Sequence, residues 1–225
     1  MTGVILENGS KVKAPIVISN ADATQTFEEL IGVENLTKRY VSKLSKMKPS
    51  LSAFVVYMAT DMNLDELGAR HEMFLNKSWN HDEAYNDIYN GKPSGIGITI
   101  PTLTDPSLAP AGQHLVIATT LIPYDIVVSW RRQKAEYAKL LMSDLEKVFP
   151  GLQKRITYAE GATPRTMERY TLNLTGAIYG WEVSPQLVGK GRLAHRTPIH
   201  GLYLSGHWSR PSEMLLHSIS PRFVV

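Results

Sequence analysis

The sequence predicts an α+β fold, with an antiparallel or mixed sheet covered by helices and shorter strands toward either end of the chain. Three observations predict it. Four β-prone runs, Leu51 to Thr60, Glu72 to Leu75, Ile96 to Ile100 and His114 to Leu121, follow one another with Gly, Pro and Asp punctuation between them, the pattern of consecutive antiparallel strands. From Tyr124 to Phe149 the period becomes helical, with Tyr137, Leu140, Leu141, Leu145 and Val148 on one side and Pro150-Gly151 as a stop. The run Gly201-Leu202-Tyr203-Leu204-Ser205-Gly206 is apolar, β-prone and ends on a glycine, which is how α/β proteins turn backbone N–H groups toward a bound group.

The remaining elements follow in order. Val4-Ile5-Leu6 and Lys11 to Ser19 read as a hairpin whose Asn8-Gly9 pair suits positive φ angles. Asn20 to Thr24 is a polar cap leading from the apolar run Ile16-Val17-Ile18 into a helix carrying Phe27, Leu30 and Ile31. A second helix places Leu36, Tyr40, Leu44 and Met47 on one stripe. Lys38, Arg39, Lys43, Lys46 and Lys48 lie opposite, and Pro49 ends it. That basic face suits either plain solvation or attraction to an anionic membrane surface. Ile156 to Ala159 is a further strand, Thr163-Pro164 opens a helix, and Gly176 to Gly180 is a glycine-bracketed loop.

Composition excludes several classes. A chain of 225 residues with 43% hydrophobic and 20% charged residues is an ordinary globular sequence, which rules out disorder as its main state. A net charge of +3 is too mild for a nucleic-acid partner. Absence of cysteine removes disulfides, thiolate nucleophiles and thiolate metal sites together. The longest apolar run, Leu115 to Val128, is broken by Pro123 and Asp125, so no membrane span is expected.

Motifs for other chemistries are missing. His195, His200, His207 and His217 follow no metal-ligand spacing. The stretch Gly91 to Gly97 is a turn, because a proline follows its lysine and a strand follows its glycines. There is no Gly-x-Ser-x-Gly elbow. Asp61, Asp65 and Glu66 read as a surface helix rather than a general acid and base.

Five segments taken in order carry a resemblance: Gly3 to Gly9, Val17 to Asp22, Pro101 to Gly112, Gly176 to Gly180, and Leu202 to Trp208. Together they resemble the phytoene desaturase-like group of FAD-dependent oxidoreductases, which includes carotenoid desaturases, carotenoid isomerases and retinol saturases. The joint order is far more specific than any one piece.

The resemblance implies that this chain corresponds to the C-terminal half of such an enzyme. It places residues 1–24, a returning hairpin and strand, and 199–225, the last strand and an altered end, in the FAD-binding domain, with 25–198 as the substrate-binding domain. Ser205, Gly206, His207 and Trp208 would lie beside the flavin, and Gly176, Ala177, Ile178 and Tyr179 would line the substrate side. Turn formation and core packing explain the same residues without a ligand, for Tyr179 and Trp208 above all. The implied cofactor is FAD and the implied substrate a hydrophobic polyene, with hydride equivalents passing between a substrate carbon and flavin N5.

The family's Gly-x-Gly-x-x-Gly fingerprint does not occur between Met1 and Val225, so tight FAD binding is not expected of this chain alone, and a separate N-terminal FAD domain is the implied partner. After Pro211, the family's glycines are replaced by Ser212-Glu213-Met214. There Glu213 would compete for the helix N–H groups that stabilise negative charge on a reduced flavin. No residue stands out as a required acid or base. The competing readings are a non-catalytic lipid-binding subunit paired with a separately encoded FAD domain, and an inactive remnant. The expected location is cytoplasmic or at a membrane periphery.

Overall fold

The computed structural model describes residues 1–127, 129–187 and 189–210. Glu213, His217 and the altered end after Pro211 lie outside the described residues. The chain forms two compact units, one spanning Leu51–Tyr170 and the other made of Met1–Ser50 with the residues from Thr171 onward. The segment 25–198, expected as the substrate-binding domain, takes in all of the first unit and parts of the second.

The Leu51–Tyr170 unit is built on a five-stranded antiparallel sheet in the order β5-β6-β7-β4-β8. Its strands are β4 (Ser52–Thr60), β5 (Glu72–Asn76), β6 (Gly95–Thr99), β7 (His114–Ile122) and β8 (Ile156–Ala162). Four were legible from β-propensity to within a residue or two, and β8 runs three residues beyond the expected Ala159. Phe54, Val56 and Met58 of β4, Val116 and Ala118 of β7, and Ile96 and Ile98 of β6 form one buried cluster with Trp130, Tyr137, Leu141 and Leu145 of the helix α3 (Trp130–Val148).

Helix α3 starts six residues after the expected Tyr124. Leu140 is exposed, whereas Asp144 takes a place on the buried face. Asp144 is accepted there because Lys77 Nζ at 2.5 Å and Lys147 Nζ at 2.8 Å flank its carboxylate. Burial acts to raise its pKa, but the two lysines prevail and hold it below the usual carboxylate range.

Two further differences have local causes. A helix α2 (His81–Tyr89) follows β5, its first turn capped by Asn80, whose Oδ1 accepts from Asp82 N and Glu83 N at 3.1 and 3.2 Å. The Asn-x-x-Glu signature for it was present in the sequence. Asp61, Asp65 and Glu66 sit on turns rather than a helix, and Asp61 pairs with Arg155 at 2.7 Å.

In the other unit, β1 (Gly3–Ile5) and β2 (Lys11–Lys13) form the expected hairpin. Of the Asn8-Gly9 pair only Gly9 has positive φ; Asn8 instead accepts from Ser10 N and Oγ. The expected strand Lys11 to Ser19 breaks at Ala14-Pro15, since proline has no N–H to donate. Its remainder, β3 (Val17–Ser19), pairs in parallel with β9 (Leu202–Leu204). Asp22 turns the chain from β3 into the helical segment Gln25–Ile31 by accepting from Thr24 N and Gln25 N. The basic helix is α1 (Lys38–Leu44), with Leu44 and Met47 buried as the stripe requires. Phe27, Trp181, Leu202, Leu204 and Trp208 join them in this unit's core.

Candidate functional site

The register of β3 and β9 pairs Val17 with Leu202, Ile18 with Tyr203 and Ser19 with Leu204. Both strands therefore end at one level, and Ser205 N donates to Ser19 O at 2.8 Å. Carboxyl ends of parallel strands are where open α/β sheets receive ligands. Asn20 and Asp22 follow β3 there, and Ser205, Gly206, His207 and Trp208 follow β9. Gly206 has φ +79°, and a Cβ on it would overlap the Asn20 Oδ1 atom, so the two strand ends pack at a spacing that only glycine allows.

The turn after β9 engages three of its carbonyls. Gly206 O accepts from Ser209 N and Oγ, His207 O from Arg192 Nη1 at 2.6 Å, and Trp208 O from Trp181 Nε1 at 2.9 Å. Among the described residues, neither the Gly206 nor the Trp208 amide donates to a protein acceptor. Buried amides are nearly always paired, and Trp208 is wholly buried. The buried Trp208 amide, with the half-buried Gly206 amide beside it, suits an oxygen or anionic acceptor supplied by a ligand.

The two expected site segments meet. Gly180, with φ +65°, lies so close to His207 that a Cβ would overlap its carbonyl oxygen. The indoles of Trp181 and Trp208 pack edge to face at 4.8 Å between centroids. Ala177 is buried in the core, while Ile178 and Tyr179 are half-buried and Tyr179 N donates to Ser50 Oγ at 2.9 Å. Just before them, Leu172 and Thr175 hold positive φ of 57° and 54°, a strained backbone for residues with a Cβ. Asp22 restrains it, its Oδ2 accepting from Leu174 N at 2.7 Å. Asn173 bridges the segments, donating to Ala177 O and accepting from Trp208 Nε1 at 3.3 Å.

Sequence reading missed Asp22, Asn173, Trp181 and Arg192 as parts of this arrangement. Asp22 registered only within a helix cap and as the end of the segment Val17 to Asp22, and Arg192 not at all as a site residue. No local pattern distinguishes a wholly buried arginine from a solvated one. His195 lies in the same unit, its Nδ1 3.1 Å from both Leu204 O and Ser209 Oγ. Among the described residues no group of three or more His, Asp or Glu could hold a metal.

A second surface belongs to the five-stranded sheet. Along β7, Val116, Ala118, Thr120 and Ile122 are buried, whereas Leu115, Ile117, Thr119 and Leu121 are half-buried on the opposite face. The register aligns Phe74, Gly97, Thr119, Val55 and Ala162 as one row across all five strands. Four strand spacings make that row roughly 19 Å long. Val55 and Ala162 in it are buried and Phe74 at its end is exposed, and Ile117 and Tyr57 on one side and Leu121 on the other flank it. Near β8 a cleft of about 570 Å³ is lined by Tyr57, Lys134, Tyr158, Arg165, Arg169 and Tyr170 among others.

No protein-family model matches the chain. It is 33% identical over 223 residues to the chloroplastic prolycopene isomerase of Daucus carota, covering 94% of this chain and 34% of that protein. It is 26% identical over 227 residues to the neurosporene-forming phytoene desaturase of Rhodobacter capsulatus, covering 93% of this chain and 42% of the relative. The chain thus spans well under half the length of these curated relatives. Among solved structures, an oxidoreductase from Methanosarcina mazei matches over 92% of this chain and 41% of its own, with a TM-score of 0.55 and 20% identity, which supports the fold. No helix of the described residues is long and apolar enough to cross a membrane. The chain belongs to the phytoene desaturase-like group of oxidoreductases and matches the C-terminal part of its members.

Proposed function

We propose that this chain is the substrate-binding and flavin-facing part of a FAD-dependent oxidoreductase acting on a polyene lipid by desaturation, saturation or isomerisation. The observation that carries the reading is the pair of unclaimed amides, Gly206 and Trp208, at the shared carboxyl end of β3 and β9. They fit the acceptor-bearing edge of a flavin ring, with Ser205 and His207 beside it. Bound there, FAD would supply the hydride chemistry, and these residues would orient it and favour negative charge on the ring.

The half-buried part of the row on the Leu51–Tyr170 sheet, Gly97 and Thr119 with Phe74 packed over Gly97, suits a flat, apolar ligand. The printed names of the relatives, an isomerase of prolycopene and a desaturase of phytoene, support a carotenoid-like substrate.

The pyrophosphate of FAD would be held by residues outside this sequence, since no Gly-x-Gly-x-x-Gly stands within it. The chain by itself is then inactive, and it works at a membrane periphery or in the cytoplasm with an FAD-binding companion. Titration with FAD followed by flavin fluorescence is expected to show weak binding or none at micromolar protein. Tight, stoichiometric quenching would refute the division of the cofactor site.

A further inference from the structure

We propose that Arg192 is the positioning residue that aims the Trp208 amide into the site, an inference that rests on reading that amide as a ligand donor. Arg192 is wholly buried. Its guanidinium donates through Nε to Leu187 O at 3.1 Å, through Nη1 to His207 O at 2.6 Å and through Nη2 to Trp181 O at 2.6 Å.

In a planar trans peptide the C=O and the N–H of the next residue point in opposite directions. Drawing His207 O onto Nη1 therefore turns the Trp208 N–H away from Arg192. The same plane fixes the next peptide indirectly. Nη2 holds the Trp181 backbone, and the Trp181 indole donates to Trp208 O at 2.9 Å. One rigid fork thus sets two successive peptide planes of the turn, which a lysine, with a single ammonium on a flexible stem, cannot do. The main chain of Arg192 is itself anchored, its carbonyl accepting from Lys43 Nζ at 3.4 Å and Arg210 Nε at 3.3 Å.

The three donor contacts reach the main-chain carbonyls of Leu187, Trp181 and His207, the last in an expected site segment and Trp181 beside the other. Their common result is a turn whose carbonyls are occupied and whose Trp208 amide faces away from them. That is the arrangement an acceptor-binding turn needs before its ligand arrives.

The test measures bond directions in the isotopically labelled 225-residue chain. One-bond N–H residual dipolar couplings of Gly206 and Trp208 are compared in the wild type, Arg192→Lys and Arg192→Ala, with Leu202 and Leu204 of β9 as internal controls. Both variants are expected to lose the wild-type coupling at Trp208 and keep those in β9. Millimolar methylguanidinium is expected to restore the Trp208 coupling in Arg192→Ala. Unchanged Trp208 couplings in either folded variant would overturn the proposal, and Arg192→Lys answers the question if the alanine variant does not fold.

A second arm adds FAD up to millimolar concentration. The Gly206 and Trp208 resonances are expected to shift in the wild type, with at least ten-fold weaker apparent affinity in Arg192→Ala. Silence of these two amides in the wild type would sink the flavin reading, while the couplings still decide the role of Arg192.

Discussion

The Leu51–Tyr170 unit and the unit formed by the two ends of the chain handle their strands in opposite ways. In the first, five strands share one sheet, and one sheet face is sealed by α3 through Phe54, Trp130, Tyr137, Leu141 and Leu145. In the second, four strands of three residues each make two separate pairs. Leu202 and Leu204 are buried on one face of the parallel pair, yet Ile18, which sits opposite Tyr203, is 55% exposed on the other. Parallel strands normally occur within larger sheets covered on both faces. Stability therefore concentrates in the first unit, while the second keeps its order in a tryptophan-rich cluster and in side-chain bridges such as Asp22 to Leu174 and Arg192 to His207. A binding site resting on such bridges can be tuned by single residues, whereas the sheet unit serves as a scaffold.

The largest effect expected from this contrast lies in the sheet core. Phe54 stacks at 4.8 Å on Tyr137 and at 5.5 Å on Trp130 with no exposure to solvent. Phe54→Ala should cost about 3–5 kcal/mol, and Leu141→Ala about 2–5 kcal/mol, in denaturant unfolding of that unit. A loss below about 1 kcal/mol for both would mean that the sheet unit does not carry its own core.

Of intermediate size is the electrostatic lock on α3. Asp144 is drawn below the ordinary carboxylate range by Lys147 and Lys77 against the opposing push of burial. A depressed folded pKa gives stability that is complete above the unfolded value of about 4 and is lost as the pH falls through the folded value. Asp144→Asn should therefore destabilise by about 1–3 kcal/mol at pH 7. The gap from wild type should narrow steadily below pH 4. Denaturant midpoints measured at pH 7 and pH 3 check this, and an equal gap at both would show that packing rather than charge explains Asp144.

How much of each unit was legible in the sequence follows the same division. Strands of the sheet unit announced themselves because each carries enough alternating or continuous apolar residues to be read alone. Where reading failed there, at Leu140 and Asp144, the cause was a lysine from another element, Lys77, which no local pattern reveals. In the other unit the family motifs named segments that lie near one another, Gly180 beside His207 and Trp181 against Trp208. Their geometry was hidden because Asn173, Trp181, Arg192 and Asp22 also act through partners distant in sequence, such as Arg192 on His207 and Asp22 on Leu174, 15 and 152 residues away. The break at Pro15 was readable from proline's missing donor, yet the β-prone residues on both sides obscured it.

The smallest expected effect on stability sharpens the contrast best. Ile5, Ile16, Ile18 and Leu30 are 70%, 58%, 55% and 68% exposed, so their contacts within the described chain are few. Changing Ile18 to Thr should move the unfolding midpoint by no more than about 0.5 kcal/mol, as for most exposed positions. The combined change of all four to polar residues should nonetheless lower the binding of a hydrophobic dye and reduce self-association on size-exclusion chromatography, because exposed apolar patches drive both. If these residues serve to receive a companion FAD-binding domain, the polar variant should stay folded and more soluble but lose that companion. A wild-type chain that already runs as a dye-silent monomer would show instead that the open side of the β3–β9 pair needs no cover, and the two units would then be equally self-sufficient.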